Sequence, residues 1–217
     1  MIKFDVFNRW SDLVQFTASL DCAKDAPVEI KHGLSVKWAI KMGASLVGAN
    51  LVGASLAGAS LVGESLEGAN LDGANLAGAS LDDANLDDAS LVGANLAGAS
   101  LAGASLVGAN LVRASLADAN LAGASLAGAS LDDASLVRAS LVRASLIVGG
   151  QRSDGYRFLL FRERDGAVKV SAGCRYFSIA EARAHWLATR EKTTLGDESQ
   201  ALVDDLERRA KIAGWNG

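Results

Sequence analysis

Four residues of this 217-residue chain carry the thiol or imidazole groups that most readily bind metal or do nucleophilic work: Cys22, His32, Cys174 and His185. Cys174 and His185 stand eleven residues apart, so a Cys–His dyad would form there if a hairpin folded back onto the following helix. That would give the C-terminal region a small catalytic or toxin-like activity. The simpler reading, a buried hairpin thiol and a partly exposed helical histidine, is the one the sequence favours. Cys22 and His32 lie at the other end of the chain, so four zinc ligands could meet only across the molecule or between chains, and no metal is expected. No phosphate loop or dinucleotide fingerprint is present, so no cofactor is expected either. Residues 44–148 contain no Lys, His, Cys, Tyr or Thr, which leaves their serines without a base. The chain reads as a non-enzyme.

What positions the remaining polar groups is a repeat. From Ala44 to Val148, leucine recurs every five residues, from Leu46 to Leu146, giving 21 repeats. Ala stands two before leucine in 20 of them, Glu64 being the exception, and Ser or Asn stands one before. Two after leucine comes Gly in 13 repeats, Asp in four, Arg in three and Val in one. A helix would spiral these leucines round every side, and a flat strand would alternate them between faces. A chain that turns a corner every five residues points all of them inward. Four sides then make a coil of about twenty residues, stacked at ~4.8 Å. Glycine suits the third position of a type II turn, where φ is positive.

Tandem A-[SN]-L-x-x resembles the pentapeptide-repeat family, which implies a mainly β fold, the right-handed quadrilateral β-helix. The resemblance covers residues 44–148, about five coils. Asp never precedes leucine, and no centre is Phe, which suggests a narrow, uniform prism. Each inward leucine contributes ~2 kcal/mol. The flanks, with NRWSDLVQFTASLDCAKDAP and GCRYFSIAEARAHW, are similar to those of phage- and prophage-linked pentapeptide-repeat proteins.

Three regions are expected: a cap over 1–43, the repeats over 44–148 and a small α+β unit over 149–217. All twelve aromatic residues lie outside the repeats. In the cap, Lys3–Phe7 and Leu13–Leu20 alternate like a hairpin and Glu29–Met42 like a helix. Phe4, Phe7, Trp10, Phe16 and Trp38 would plug the prism. At the other end, Tyr156–Arg162 and Val168–Ala172 read as a hairpin. Ser178 and Glu181 form a capping box opening a helix to about Arg190, and Asp197 caps a last helix ending at Gly214. Trp186 and Trp215 are candidate contacts of a homodimer.

Half of the chain is hydrophobic and its net charge is −4, which excludes disorder. No apolar run is long enough for a membrane helix, the first residues do not form a signal peptide, and two cysteines give no disulfide framework. A cytoplasmic protein is expected, without membrane association. The charge is uneven: +1 over 1–43, −7 over 44–148 and +2 over 149–217. Residues twenty apart should stack, so Arg113 meets Asp133 and Asp118 meets Arg138, complementary pairs. Asn50 should lie over Asn70, and Asn75 over Asn95. Glu67 lies under Asp87, like on like, and Asp82, Asp83, Asp87 and Asp88 crowd one corner with Asp72 on the next face. None of these acids has a basic neighbour in its column, and together they form the candidate partner surface. Glu64, an inward acid, should be satisfied by Lys37, Lys41 or water. Ala57, Ala77, Ala97, Ala117 and Val137 should form a flat apolar strip.

The sequence therefore points to a rigid scaffold or interaction module that binds a protein partner through flat or acidic faces. The resemblance adds a sharper alternative, a DNA mimic that binds a type II topoisomerase, as some pentapeptide-repeat proteins do. Direct nucleic-acid binding is not expected, because the acidic tract would repel phosphates.

Overall fold

The computed structural model describes residues 1–163, 165–172 and 175–215. They divide into two compact units, Met1–Ser125 with Ala129–Arg143, and Leu126–Gly128 with Ala144–Gly217. The N-terminal cap falls in one unit with the repeats, and the last pentapeptide falls in the other.

In the first unit, residues twenty apart are joined by parallel bridges, from Asn50 to Asn70 through Asn120 to Ser140. Around the bridge between Asn70 and Ser90, the Leu71 N–H donates to the Ser90 carbonyl at 2.7 Å and the Ser90 N–H to the Ala69 carbonyl at 2.9 Å. The chain turns after each leucine, as where the Ala94 N–H closes onto the Leu91 carbonyl at 3.0 Å. At the position two after leucine, φ lies between 56° and 73° from Gly48 to Arg143. This is the expected type II corner. Seven corners carry Asp or Arg in the same left-handed conformation, each at a cost of about 1 kcal/mol or more relative to glycine. Each side is so short that neighbouring coils share single bridges rather than extended strands. The leucines Leu51 to Leu121 fill the interior, at most 1% exposed, while Leu136 and Leu141 are half-buried.

The first coil is closed by strands β1 (Ile2–Phe7) and β2 (Val14–Leu20) and helix α1 (Val28–Met42). They satisfy the backbone groups that an open edge would leave unpaired. Arg9 N–H donates to the Gly48 carbonyl and Asn50 N–H to the Phe7 carbonyl, both at 2.8 Å, while Ser55 N–H reaches the Glu29 carbonyl at 2.9 Å. Gly33 of α1 comes so close that a Cβ there would lie 2.1 Å from the Ser55 carbonyl oxygen. The plug is not the expected aromatic cluster. Val6, Ala18, Leu20, Val36 and Ala39 fill the buried side, and Phe4, Phe16 and Trp38 are half-buried. Phe7 and Trp10 are exposed. Trp10 lies outside, flat against the glycine corners Gly48 and Gly68, because a column of corners without Cβ atoms leaves a shelf wide enough for an indole.

The second unit is a four-stranded antiparallel sheet ordered β3 (Leu146–Gln151), β4 (Arg157–Arg162), β5 (Val168–Ala172), β6 (Arg175–Ser178). Helices α2 (Ile179–Arg190) and α3 (Thr194–Ile212) follow. The β4–β5 hairpin and the Ser178–Glu181 capping box form as expected. Strands β3 and β6 were not legible, because β3 begins inside the last repeat and β6 is only four residues long. Helix α3 starts earlier than expected: Thr193, not Asp197, is its cap, its hydroxyl accepting from the Gly196 N–H at 3.1 Å. Phe158, Leu160, Val170, Trp186, Val203 and Leu206 form the core, with Trp215 against it. Trp186 and Trp215, the candidate dimer contacts, are 4% and 8% exposed, so their indoles serve this core.

Candidate functional site

The acidic residues lie on successive sides of the coil rather than at one corner, and the coil gives them partners that a search for basic neighbours misses. Each of the seven repeat asparagines accepts the N–H two residues ahead, as Asn75 does from Ala77 at 3.2 Å and Asn95 from Ala97 at 3.1 Å. At three of the serine repeats, an aspartate of the previous coil does the same work. Asp72 Oδ1 accepts from Ser90 Oγ at 2.5 Å and Val92 N–H at 3.0 Å. Asp82 Oδ1 accepts from Ser100 Oγ and Ala102 N–H at the same distances. Asp87 Oδ1 accepts from Ser105 Oγ at 2.5 Å and Val107 N–H at 2.9 Å. The signal was in the sequence: each of these aspartates stands eighteen residues before a serine.

This bonding resolves the like-on-like stack. The Asp87 carboxylate turns toward the following coil, and Glu67 Oε2 accepts instead from Asn85 Nδ2 at 3.2 Å. Asp83 and Asp88 differ. They occupy left-handed corners on successive sides, exposed, and their carboxylates hold no hydrogen bond or ion pair among the described residues. Asp83 Oδ1 leans over Gly103 and Asp88 Oδ1 over Gly108, each 2.3 Å from where a Cβ would stand, so glycine at those corners leaves the carboxylates room.

Both expected ion pairs form. Arg138 grips Asp118 through two bonds of 2.6 Å, which holds that carboxyl below its usual range, and Arg113 stands 3.9 Å from Asp133. Asn95 Nδ2 reaches Asn75 Oδ1 at 3.5 Å, while Asn50 and Asn70 are joined by their backbones. The strip Ala57 to Val137 is continuous, each of its later carbonyls taking the corner N–H of the coil before, as Ala97 takes Gly78 at 2.9 Å. Glu64 is half-buried and forms no ion pair with Lys37 or Lys41 among the described residues.

In the second unit, His185 stacks on Phe177 at 5.1 Å and takes Arg175 Nη1 at 3.0 Å from its Nε2. Desolvation first, and then the charges of Arg175 and Arg190, lower its pKa. Cys174, its expected partner, lies outside the described residues. Among the described residues, no three His, Cys, Asp or Glu gather as a metal site, and no helix is long and apolar enough to cross a membrane.

The family model described as pentapeptide repeats matches residues 49–88, 79–116 and 114–147, in eight copies. Among solved structures, a pentapeptide repeat protein (Rfr23) from the cyanobacterium Cyanothece 51142 is 36% identical over 42% of this chain and 58% of its own, with a TM-score of 0.37. A pentapeptide repeat protein from the Arabidopsis thaliana thylakoid lumen is 31% identical over 51% of this chain and 70% of its own, with a TM-score of 0.41. QnrB1, a plasmid-mediated fluoroquinolone resistance protein, is 18% identical over 44% of this chain and 57% of its own, with a TM-score of 0.28. The chain thus spans less than two thirds of the length of two of these three proteins. No curated protein matches it.

Proposed function

This chain belongs to the pentapeptide repeat family, and from that premise we propose that it is a non-enzymatic interaction module that docks a protein partner on the acidic side of its coil. We infer that the coil is the right-handed quadrilateral β-helix of the family. The observation that carries the proposal is the fixing of Asp72, Asp82 and Asp87 by donors of the next coil. Carboxylates held in this way lose little freedom on binding. Their outer oxygens, with Glu67, Asp83 and Asp88, offer a basic partner a charge pattern that is already oriented. The finer reading is a DNA mimic that engages a type II topoisomerase, favoured by a repeat tract that carries −7.

The test neutralises charge while keeping every acceptor: Glu67→Gln with Asp72, Asp82, Asp83, Asp87 and Asp88 changed to Asn. Tagged wild type should retain partners at low salt that this variant loses. An identical set of partners on both would overturn the acidic surface. In a supercoiling assay, wild type should inhibit a type II topoisomerase and the variant should not. Insensitivity of the enzyme to excess wild type would remove the mimic and leave the module.

A further inference from the structure

A second polar site lies in the C-terminal unit, in a recess of about 430 Å³ lined by Arg152, Tyr156, Arg175, His185, Thr189 and Arg190. Its back wall is electrically balanced. The Arg152 side chain is 3% exposed, and its guanidinium grips Asp154 through bonds of 2.7 and 2.6 Å. It donates to Ser199 Oγ at 2.9 Å and stands 5.0 Å from the centre of the Tyr156 ring. The mouth is not balanced. Arg175, at the start of β6, and Arg190, at the end of α2, have no carboxylate partner among the described residues, although both line the same recess. Arg175 rests against His185, which the rings of Phe177 and Trp186 hold in place.

Two like charges directed at one partly desolvated recess repel each other, and a single bound dianion would relieve both. Guanidinium presents paired N–H donors that match the oxygens of a phosphate, and a recess of this size takes a small molecule. We propose that this recess binds the dianionic phosphate of a small phosphomonoester, held between Arg175 and Arg190, with the Tyr156 ring beside the organic group. This site is separate from the acidic coil surface, and neither proposal depends on the other.

The experiment titrates the full chain with orthophosphate and with phenyl phosphate at pH 7.5, by calorimetry and by the imidazole signals of His185, with chloride and acetate at matched ionic strength as controls. Wild type should bind both phosphates saturably, His185 should shift while His32 stays still, and phenyl phosphate should bind more tightly. Arg175→Gln and Arg190→Gln should each weaken binding by about tenfold or more, with unchanged melting curves, since neither side chain is buried. A response that does not saturate, that chloride reproduces, or that survives both substitutions would overturn the proposal. So would a single-stranded oligonucleotide that displaces phenyl phosphate and binds more tightly, because the site would then serve a polymer backbone. If a variant melts early, the His185 titration in wild type decides alone.

Discussion

The repeat coil and the C-terminal unit handle charge in opposite ways. In the coil, a residue's neighbours stand twenty positions away, so each polar group can be matched with its partner by counting. Asp118 meets Arg138, and Asp82 meets Ala102. In the C-terminal unit the partners are irregular: Arg152 meets Ser199, Arg183 meets both Asp204 and Glu207, and Arg209 reaches the Val148 carbonyl. Net charge therefore misleads in both places. The coil's −7 includes carboxylates bonded to the next coil, and the +2 of residues 149–217 hides Arg175 and Arg190, which have no acid partner among the described residues. A balanced count says little unless the topology brings the opposite charges together.

The contrast predicts how damage spreads. Leu91 and Phe158 are both fully buried, and truncating either to Ala should cost roughly 3 kcal/mol. In the coil each turn touches only its neighbours, so Leu91→Ala should weaken exchange protection mainly at Leu71, Leu91 and Leu111, leaving Leu51 near wild type. Phe158→Ala removes a side chain shared by sheet and helices, and should lower protection across β3 to β6 and α2 together. Hydrogen exchange distinguishes the two patterns, and a uniform loss in Leu91→Ala would break the comparison.

A smaller effect separates charge from bonding within the coil. Asp82→Ala removes the acceptor for both Ser100 Oγ and Ala102 N–H, and should cost about 1–2 kcal/mol. Asp82→Asn keeps an acceptor oxygen and should cost less than half as much. Urea midpoints measure both. Equal losses would mean that the negative charge itself, rather than the geometry of acceptance, secures the next coil.

Much of the coil could be read beforehand, because leucine spacing, corner glycines and column charges all follow from one period. The corners occupied by Asp83, Asp88 and Arg113 obeyed it even without glycine. What escaped was local competition for a backbone N–H: Asn serves its own turn, and at Ser90, Ser100 and Ser105 the role passes to an aspartate eighteen residues earlier. The position of Trp10 escaped as well, since an aromatic residue in a cap suggests burial, and only the geometry shows that a column of corner glycines makes a shelf outside. In the C-terminal unit, hairpin and capping signals were local and legible. The meeting of Arg175, His185 and Arg190 was not, since it depends on how β6 packs against α2.

The smallest expected effect tests whether the cap titrates separately from the coil it covers. His32 lies half-buried on α1, with Nδ1 3.1 Å from the Val52 carbonyl and its ring edge-on to Phe4 at 5.4 Å. Desolvation is the largest influence and lowers its pKa from 6.5, against the Val52 bond and the Glu29 charge, which raise it. A folded pKa below the unfolded one means that the unfolded chain binds the proton more readily. The stabilising contribution is thus complete above about pH 6.5 and is lost as the pH falls through the folded value. Between pH 7.5 and 5.5, the Ser55 N–H, which donates to the Glu29 carbonyl of the cap, should lose protection, while Leu91 N–H, two coils away, should keep its own. His32→Gln should flatten that dependence at Ser55. If Ser55 and Leu91 lose protection in step, or if His32→Gln leaves the Ser55 profile unchanged, the imidazole is not what ties the cap to pH.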